Sequence, residues 1–374
     1  MLQGRADPAR DGVADYTRLL GAALVDAGVD VEAVTVPGSL PSVLRAARRL
    51  RRMRPELVHV QFAPSAFGFA PWVGLLPDLV DAPVVTTLHE YGWWAAPKRV
   101  PPGAWRALER RGRFDRESWR LAPRGAARVT TNAGHAAALH ARLGRDAVTI
   151  PLAPNVPDAG PADRHRTRER LGVPADAEVV AFFGFVHPVK GVRYLIEALA
   201  ALRASGRDRL HLLVLGGFTS LALPRDEADA FRAELEGRVA AAGVTGHVTI
   251  TGHLPPGEVS AALHASDIAA FPFTAGATTK SGALLSAFAH ALPTVVTRAE
   301  PPDADLVDGR TAVVAPCVRD ADALVGALTR LLDDPGLRAR VAGGGAALVA
   351  DRTWPAIARA HRELYEDVLG RVRA

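Results

Sequence analysis

Cysteine is almost missing from this sequence. Cys317 stands alone, which excludes an intrachain disulfide and fits a reducing compartment. No Cys/His spacing suits a metal ion, no Walker-type phosphate loop occurs, and neither heptads nor low-complexity blocks are present. A secretory signal is missing too: MLQGRADPAR reaches charge before any apolar run forms, so a cytoplasmic location is expected. Long apolar runs are equally scarce. Residues 57–77 carry no charge and are numerous enough to span a bilayer, but Pro64, Pro71 and Pro77 interrupt them. A strand, a loop and a helix start explain that stretch better than a membrane helix.

What is present fits a globular protein of two domains. The length of 374 residues exceeds one ordinary compact core. Apolar residues make up 48% and charged residues 23%, ordinary values for a folded α/β chain. The net charge of +5 is uneven: residues 1–155 hold 21 Lys+Arg against 14 Asp+Glu, and the remainder 24 against 26. An anionic partner or surface on the first half is one reading, and arginine spread over solvated faces the other. Nothing points to nucleic acid.

Strands alternate with helices throughout, the pattern of parallel sheets in α/β layers. In the first half the expected order is helix 16–27, strand 31–36, helix 42–53, then strands 57–62, 83–89, 127–132 and 147–152. The stretch PLAPNVPDAGPAD (151–163) is the natural linker. The second half restarts the alternation: strand 178–185, helix 192–204, strand 210–217, helix 226–242, strand 247–252 and helix 256–265. Strand 268–273, helix 281–290, strands 293–297 and 311–316, and helices 320–332 and 354–372 follow. Domains of 1–155 and 156–374 are expected, with the C-terminal helix folding back onto the first. Only Met1–Gln3 precede the loop GRADPARDG, so either the first strand is very short or the start is late. Two such halves put a cleft between them, at the carboxyl ends of the strands.

Several segments in order resemble glycosyltransferase family 4. They are DGVADYTRLLGAAL (11–24), TLHEYGW (87–93), TTNAGHAAAL (130–139), FFGFVHPVKGVRYLIEALAAL (182–202), SDIAAFPF (266–273), GALLSAFAHALPTVVT (282–297) and LVDGRTAVVAP (306–316). The resemblance implies the GT-B fold, two Rossmann-like domains facing each other across a cleft. It also implies transfer of a hexose-type sugar from a nucleotide-diphosphate donor, UDP- or GDP-linked, to a hydroxyl or amine. The acceptor would be a small molecule, a glycan or a lipid-linked group. Retention of configuration, with neither metal nor cofactor, goes with the family. His89 stands where many relatives carry a histidine facing the donor sugar.

Chemistry alone gives some of the same residues. A departing diphosphate needs positive charge, and Lys190 follows a strand and opens a helix, where a point charge suits a phosphate; a solvated loop lysine is the alternative. The loop TAGATTKSG (274–282) has small residues before a helix, so its backbone can approach an anion, or it is a plain connection capped by Ser281. The donor set is therefore Gly12, Gly184, Lys190, Gly217, Thr278, Thr279, Lys280, Ser281, Gly282 and Ser286, with His89 and Lys190 as catalytic candidates. Asp303–Asp305 and Asp320–Asp322 read as caps rather than metal ligands.

The sequence also departs from the family. Thr278 and Ser286 occupy the places of two glutamates, one for sugar hydroxyls and one for the ribose. Phe185 replaces an arginine, and Asp11–Gly12 the double glycine of the first loop. Two rival functions follow: a non-catalytic nucleotide- or sugar-binding homologue, and a nucleotide-sugar epimerase-like GT-B enzyme. In the first half, Phe67, Phe69, Trp72, Trp93, Trp94 and Trp105 lie near strand ends. Aromatic faces stack on sugars, so Tyr16, Phe67, Trp93 and Trp94 form the acceptor-side set. Arg45, Arg48, Arg49 and Arg52 share one helical face, suited to weak peripheral contact with an anionic membrane or to water.

Overall fold

The computed structural model describes residues 1–8, 11–97, 99–218 and 225–373. The chain divides into two compact units, Met1–Leu152 with Trp354–Ala374, and Ala153–Thr353. The division falls between residues 152 and 153 rather than 155 and 156, and the last helix belongs to the first unit.

In the first unit the chain runs β1 (Leu2–Gln3), α1 (Gly12–Asp26), β2 (Val34–Thr35), α2 (Leu40–Met53), β3 (Val58–Phe62), α3 (Leu76–Leu79) and β4 (Val84–Leu88). It continues through α4 (Pro102–Arg110), α5 (Leu121–Arg124), β5 (Ala127–Thr130), α6 (Ala133–Leu143) and β6 (Val148–Thr149). The strands form one parallel sheet in the order β2-β1-β3-β4-β5-β6. The first strand is present and short. It limits its neighbour: Leu2 and Gln3 pair with Val34 and Thr35 only, so the strand expected over 31–36 shrinks to two residues. Val58, Val60 and Phe62 bury one face of β3 against Val43, Ala47 and Leu50 of α2. The exposed side of α2 carries its arginines.

The second unit runs α7 (Arg164–Leu171), β7 (Glu178–Phe183), α8 (Val192–Ala204), β8 (Leu210–Leu215), α9 (Arg225–Ala241), β9 (Val248–Ile250) and α10 (Pro256–His264). Then come β10 (Ile268–Phe271), α11 (Gly282–Ala289), β11 (Thr294–Thr297), β12 (Val313–Ala315), α12 (Ala321–Asp333) and α13 (Pro335–Val349). Its sheet is also all parallel, in the order β12-β11-β10-β7-β8-β9. Every residue of β8, β10 and β11 is buried, as expected of strands covered on both faces. The chain ends with α14 (Trp354–Arg373), which packs on α1. Among the described residues no helix is long and apolar enough to cross a membrane.

Candidate functional site

In the second unit, β8 and β9 extend the sheet on one side of β7, and β10 starts again on the other. Loops leaving two such strands diverge, and that switch point is where open α/β sheets hold ligands. The two loops here follow β7 and β10. They are stitched together: the Thr274 N–H donates to the Val189 carbonyl at 2.9 Å and its hydroxyl to the same oxygen at 3.2 Å. Gly191 is left-handed, with φ 71°, and a Cβ there would overlap the Pro272 carbonyl. Only glycine lets the loops meet so closely.

Lys190 ends a short 3-10 turn that His187 caps through Nδ1, which accepts from the Val189 N–H at 3.3 Å. Its ammonium lies 3.9 Å from the centre of the Phe273 ring. No carboxylate among the described residues pairs with it. Burial pushes its pKa down to about 8. Burial and then the charge of Lys190 also lower the pKa of His187, a residue that sequence reasoning did not select. A usable signal was present: only three of the 45 lysine and arginine residues are lysine, and two of those, Lys190 and Lys280, lie in these loops.

The β10 loop delivers the start of α11. Ser281 is its N-cap and accepts from the Leu284 N–H at 3.3 Å. The N–H groups of Gly282 and Ala283 have no protein partner among the described residues. A Cβ on Gly184, at the end of β7, would lie 3.5 Å from the Ala283 Cβ, so strand end and helix start adjoin. Lys190, Gly184 and unfilled N–H groups at a helix start are the components of an anion site. Thr279 holds the loop's shape: its N–H and its hydroxyl both donate to Asp303, at 2.8 and 2.9 Å. Asp303 also accepts from the Asp305 N–H, and Asp320 caps α12, so both aspartates act locally. Thr278 is half-buried and gives its carbonyl to the Ser281 N–H at 3.1 Å; Lys280 is half-buried between them.

Of the three remaining donor-side residues, one is committed to the fold. Ser286 is fully buried, donates to the Gly282 carbonyl at 2.8 Å and accepts from the Val156 N–H at 3.0 Å, so its hydroxyl serves the fold. Of the glycine pair after β8, Gly217 has ordinary room. Gly216, with φ 152°, is the crowded one, against the Gly184 carbonyl. Gly12 opens α1, but the Asp11 carboxylate already accepts from the Val13 and Ala14 N–H groups, at 3.0 and 2.9 Å. An anion at that helix start would have to displace Asp11.

In the first unit His89 follows β4, half-buried, with Nε2 2.8 Å from the Gln61 side-chain oxygen. Its ring meets Tyr16 edge-on at 4.7 Å, and Tyr16 meets Trp354 at 5.4 Å. Three of the four acceptor-side residues are buried, and Tyr16, at 6% exposed, is one of them. Phe67 is 1% exposed and stacks on Phe62, and Trp94 is 6% exposed; both pack inside. Trp93 is 58% exposed beside Phe69, at 45%, their ring centres 6.0 Å apart, and this pair offers aromatic faces to a ligand. The segment carrying Trp93 is held from beneath. Gly92 N–H donates to Glu117, whose carboxylate Arg142 pairs at 2.7 Å, and burial raises Glu117 to about 7.

Asp158, His264 and His290 also come together in the second unit. Asp158 and His264 share a hydrogen bond of 2.6 Å, His290 Nε2 lies 2.7 Å from the Ser260 hydroxyl, and its Nδ1 2.7 Å from the Ser286 carbonyl. These lone pairs are committed to one another, and a cation would bind only after those bonds opened.

Residues 177–334 match the family model described as "Glycosyl transferases group 1". The chain is 30% identical over 330 residues to the D-inositol 3-phosphate glycosyltransferase of Arthrobacter sp. (strain FB24), covering 84% of this chain and 72% of that protein. It is 34% identical over 163 residues to the 2-deoxystreptamine glucosyltransferase of Streptomyces kanamyceticus, covering 42% of this chain but 38% of that one. Two further D-inositol 3-phosphate glycosyltransferases align over 47% and 48% of their own length, so the match spans less than half of these three relatives. In three dimensions the chain is similar to HepE of Anabaena, solved with UDP and glucose. The TM-score is 0.73 at 17% identity, over 98% of both chains.

Proposed function

The chain belongs to the group 1 glycosyltransferases and has their GT-B fold, and from that premise we propose that it moves a hexose-type sugar from a nucleoside-diphosphate donor to a hydroxyl or amine acceptor. The donor is UDP- or GDP-linked. The transfer retains configuration, uses no metal and takes place in the cytoplasm, as in glycosyltransferase family 4. The observation that carries the reading is Lys190. It is a desolvated cation with no acidic partner among the described residues, at the switch point of the second unit, sharing its pair of loops with the open N–H groups of α11. A diphosphate supplies the charge that such a group lacks, and binds it more strongly as the glycosidic bond breaks. The first unit carries the acceptor side, with Trp93 and Phe69 as stacking faces. The Arthrobacter relative is named for an inositol phosphate and the Streptomyces one for 2-deoxystreptamine. A polyhydroxylated or amino-substituted ring is the matching acceptor class here.

Thermal-shift measurements across UDP, GDP and their sugars identify the donor, since a ligand of the native state alone raises apparent stability. Turnover is then read as acceptor-dependent release of the free nucleotide. Donor consumption without acceptor, giving an isomer, would point instead to epimerase-like chemistry. One observation favours a second reading, a non-catalytic donor-binding homologue. The two glutamate positions of the family hold Thr278 and Ser286, and the Ser286 hydroxyl is tied to Gly282 and Val156, so neither position offers a carboxylate. Bound donor that is never consumed with any acceptor of the two classes would establish that reading.

A further inference from the structure

A parallel sheet covered by helices ordinarily buries apolar side chains, but part of the first sheet buries a row of polar ones. On β3 and β4 the side-chain period of two puts His59 and Gln61 on one face, and Thr87 and then His89 beside them; Gln61 pairs with Thr87 in register. His59, Gln61 and Thr87 are at most 2% exposed. His59 Nε2 lies 2.8 Å from the Thr87 hydroxyl and Nδ1 2.6 Å from the Tyr365 hydroxyl of α14. The Gln61 side-chain nitrogen lies 3.3 and 3.4 Å from the two ring nitrogens of His59, and its oxygen 2.8 Å from His89 Nε2. The His361 ring lies over His59, 5.5 Å between centres. Burial, then the neighbouring His361, the N-terminal ammonium and His89, hold His59 neutral.

A side-chain carbonyl oxygen can only accept a hydrogen bond. His89 Nε2 must then carry a hydrogen, and in the neutral ring Nδ1 carries none. We propose that Gln61 is a positioning residue that holds His89 in the Nε2–H tautomer, and that Tyr365 of the last helix fixes Gln61 in turn through His59. This rests on the reading of His89 as a site residue. It adds how the histidine is held: Gln61 fixes the plane of the ring and the place of its hydrogen. It also gives α14 a role beyond closing the unit, because the Tyr365 hydroxyl is one end of the row.

The test uses the full chain labelled with ¹⁵N-histidine, with His89 assigned by comparison with His89→Gln. The tautomer is read from long-range ¹H–¹⁵N correlations, and kcat and KM are measured with the donor identified by thermal shift. The parent should show His89 as Nε2–H. Gln61→Met, of similar shape but without an acceptor, should lose that preference and lower kcat about tenfold, the scale of one well-placed hydrogen bond. Donor KM should stay nearly unchanged. Gln61→Glu keeps an accepting oxygen and should restore both the tautomer and most of kcat. A merely structural role would not give that rescue. An Nδ1–H ring in the parent, or an unaltered tautomer in Gln61→Met, overturns the proposal. A switched tautomer with parental kcat overturns the reading of His89 as a site residue and leaves the hydrogen-bond assignment standing, so the two failures are distinguishable.

Discussion

Replacing Lys190 by methionine should make the protein more stable and less able to bind its donor. Burial lowers the ammonium from 10.5 to about 8, and at roughly 1.4 kcal/mol per unit the folded state carries about 3 kcal/mol of desolvation cost at neutral pH. The Phe273 ring, 3.9 Å away, returns about 1–2 kcal/mol of that. Methionine keeps the length of the stem and drops the charge, so Lys190→Met should gain about 1–2 kcal/mol. The sign follows from where the proton is held. Below pH 8 folded and unfolded chains are both protonated and the whole cost is present. Between pH 8 and 10.5 the folded chain releases its proton while the unfolded chain keeps it, and the cost is relieved. The gap between variant and parent should therefore be widest below pH 8 and close toward 10.5 in urea unfolding followed over that range. Donor binding adds a second readout. A diphosphate beside Lys190 raises its pKa, so UDP or GDP, whichever the thermal screen selects, should bind with proton uptake near pH 8–9. Calorimetry in buffers of different ionisation enthalpy detects it. A Lys190→Met protein that is less stable than the parent, or that binds the nucleotide as tightly, would refute the argument.

Four other outcomes are expected. Lys280→Ala should lower turnover by about 10²–10³ if Lys280 supplies the charge that relatives place at the Phe185 position; parental turnover would remove it from the donor side. Burial lowers His361 and His211 from 6.5 to about 4, so each should cost about 2 kcal/mol of stability as the pH falls from 7 to 5, where the unfolded chain takes up the proton first. His361→Phe should flatten that slope in acid unfolding, and an unchanged slope would contradict it. Trp93→Ala should raise acceptor KM several-fold, with donor binding unchanged in a thermal shift, if an exposed ring of this kind stacks on the acceptor; unchanged KM removes Trp93 from the acceptor side. Membrane contact, if present, runs through α2, and a quadruple Arg→Gln change at 45, 48, 49 and 52 should abolish sedimentation with anionic vesicles; unaltered sedimentation excludes that face.

The alternation of strands and helices was legible because buried parallel strands are continuous apolar runs, as in LHLLVL (210–215) and IAAF (268–271). No helix was expected where α13 lies, and Gly343, Gly344 and Gly345 lower the helix propensity of that stretch. Packing overrides propensity there: a Cβ on Gly344 would overlap the Arg310 carbonyl, and one on Gly345 would press on the Phe288 ring. The candidate site divides in the same way. The place of Lys190 between a strand and a helix was legible from the alternation around it. Ser286 was misassigned because alignment to a family motif gives a position and not a direction, and its side chain turns back to its own helix. Phe67 and Trp94 were misassigned because an aromatic near a strand end looks the same in sequence whether it faces the core or water. The Gln61–His59–Tyr365 row joins residues 306 apart in the chain, which no local pattern announces.

Arg142 and Arg168 differ from Lys190 in the partners that offset their loss of water. Arg142 lies against the Tyr91 ring, 14% exposed, with Asp115 at 3.3 Å and Glu117 at 2.7 Å. Arg168, 4% exposed, donates to Asp267 and to the carbonyls of Ala265, Ala175 and Ala177. In both, carboxylates and carbonyls offset the desolvation, and removing either arginine would strand acceptors inside the fold. Lys190 has a ring and no carboxylate. Removing it strands nothing, so its presence is unexplained by folding and must be accounted for by what it meets. Arginine is the default cation of this chain, and it would bring five donors into a turn that offers few acceptors. A compact ammonium can rest on Phe273 until an anion arrives, the behaviour that the proposed binding and release of a diphosphate would need.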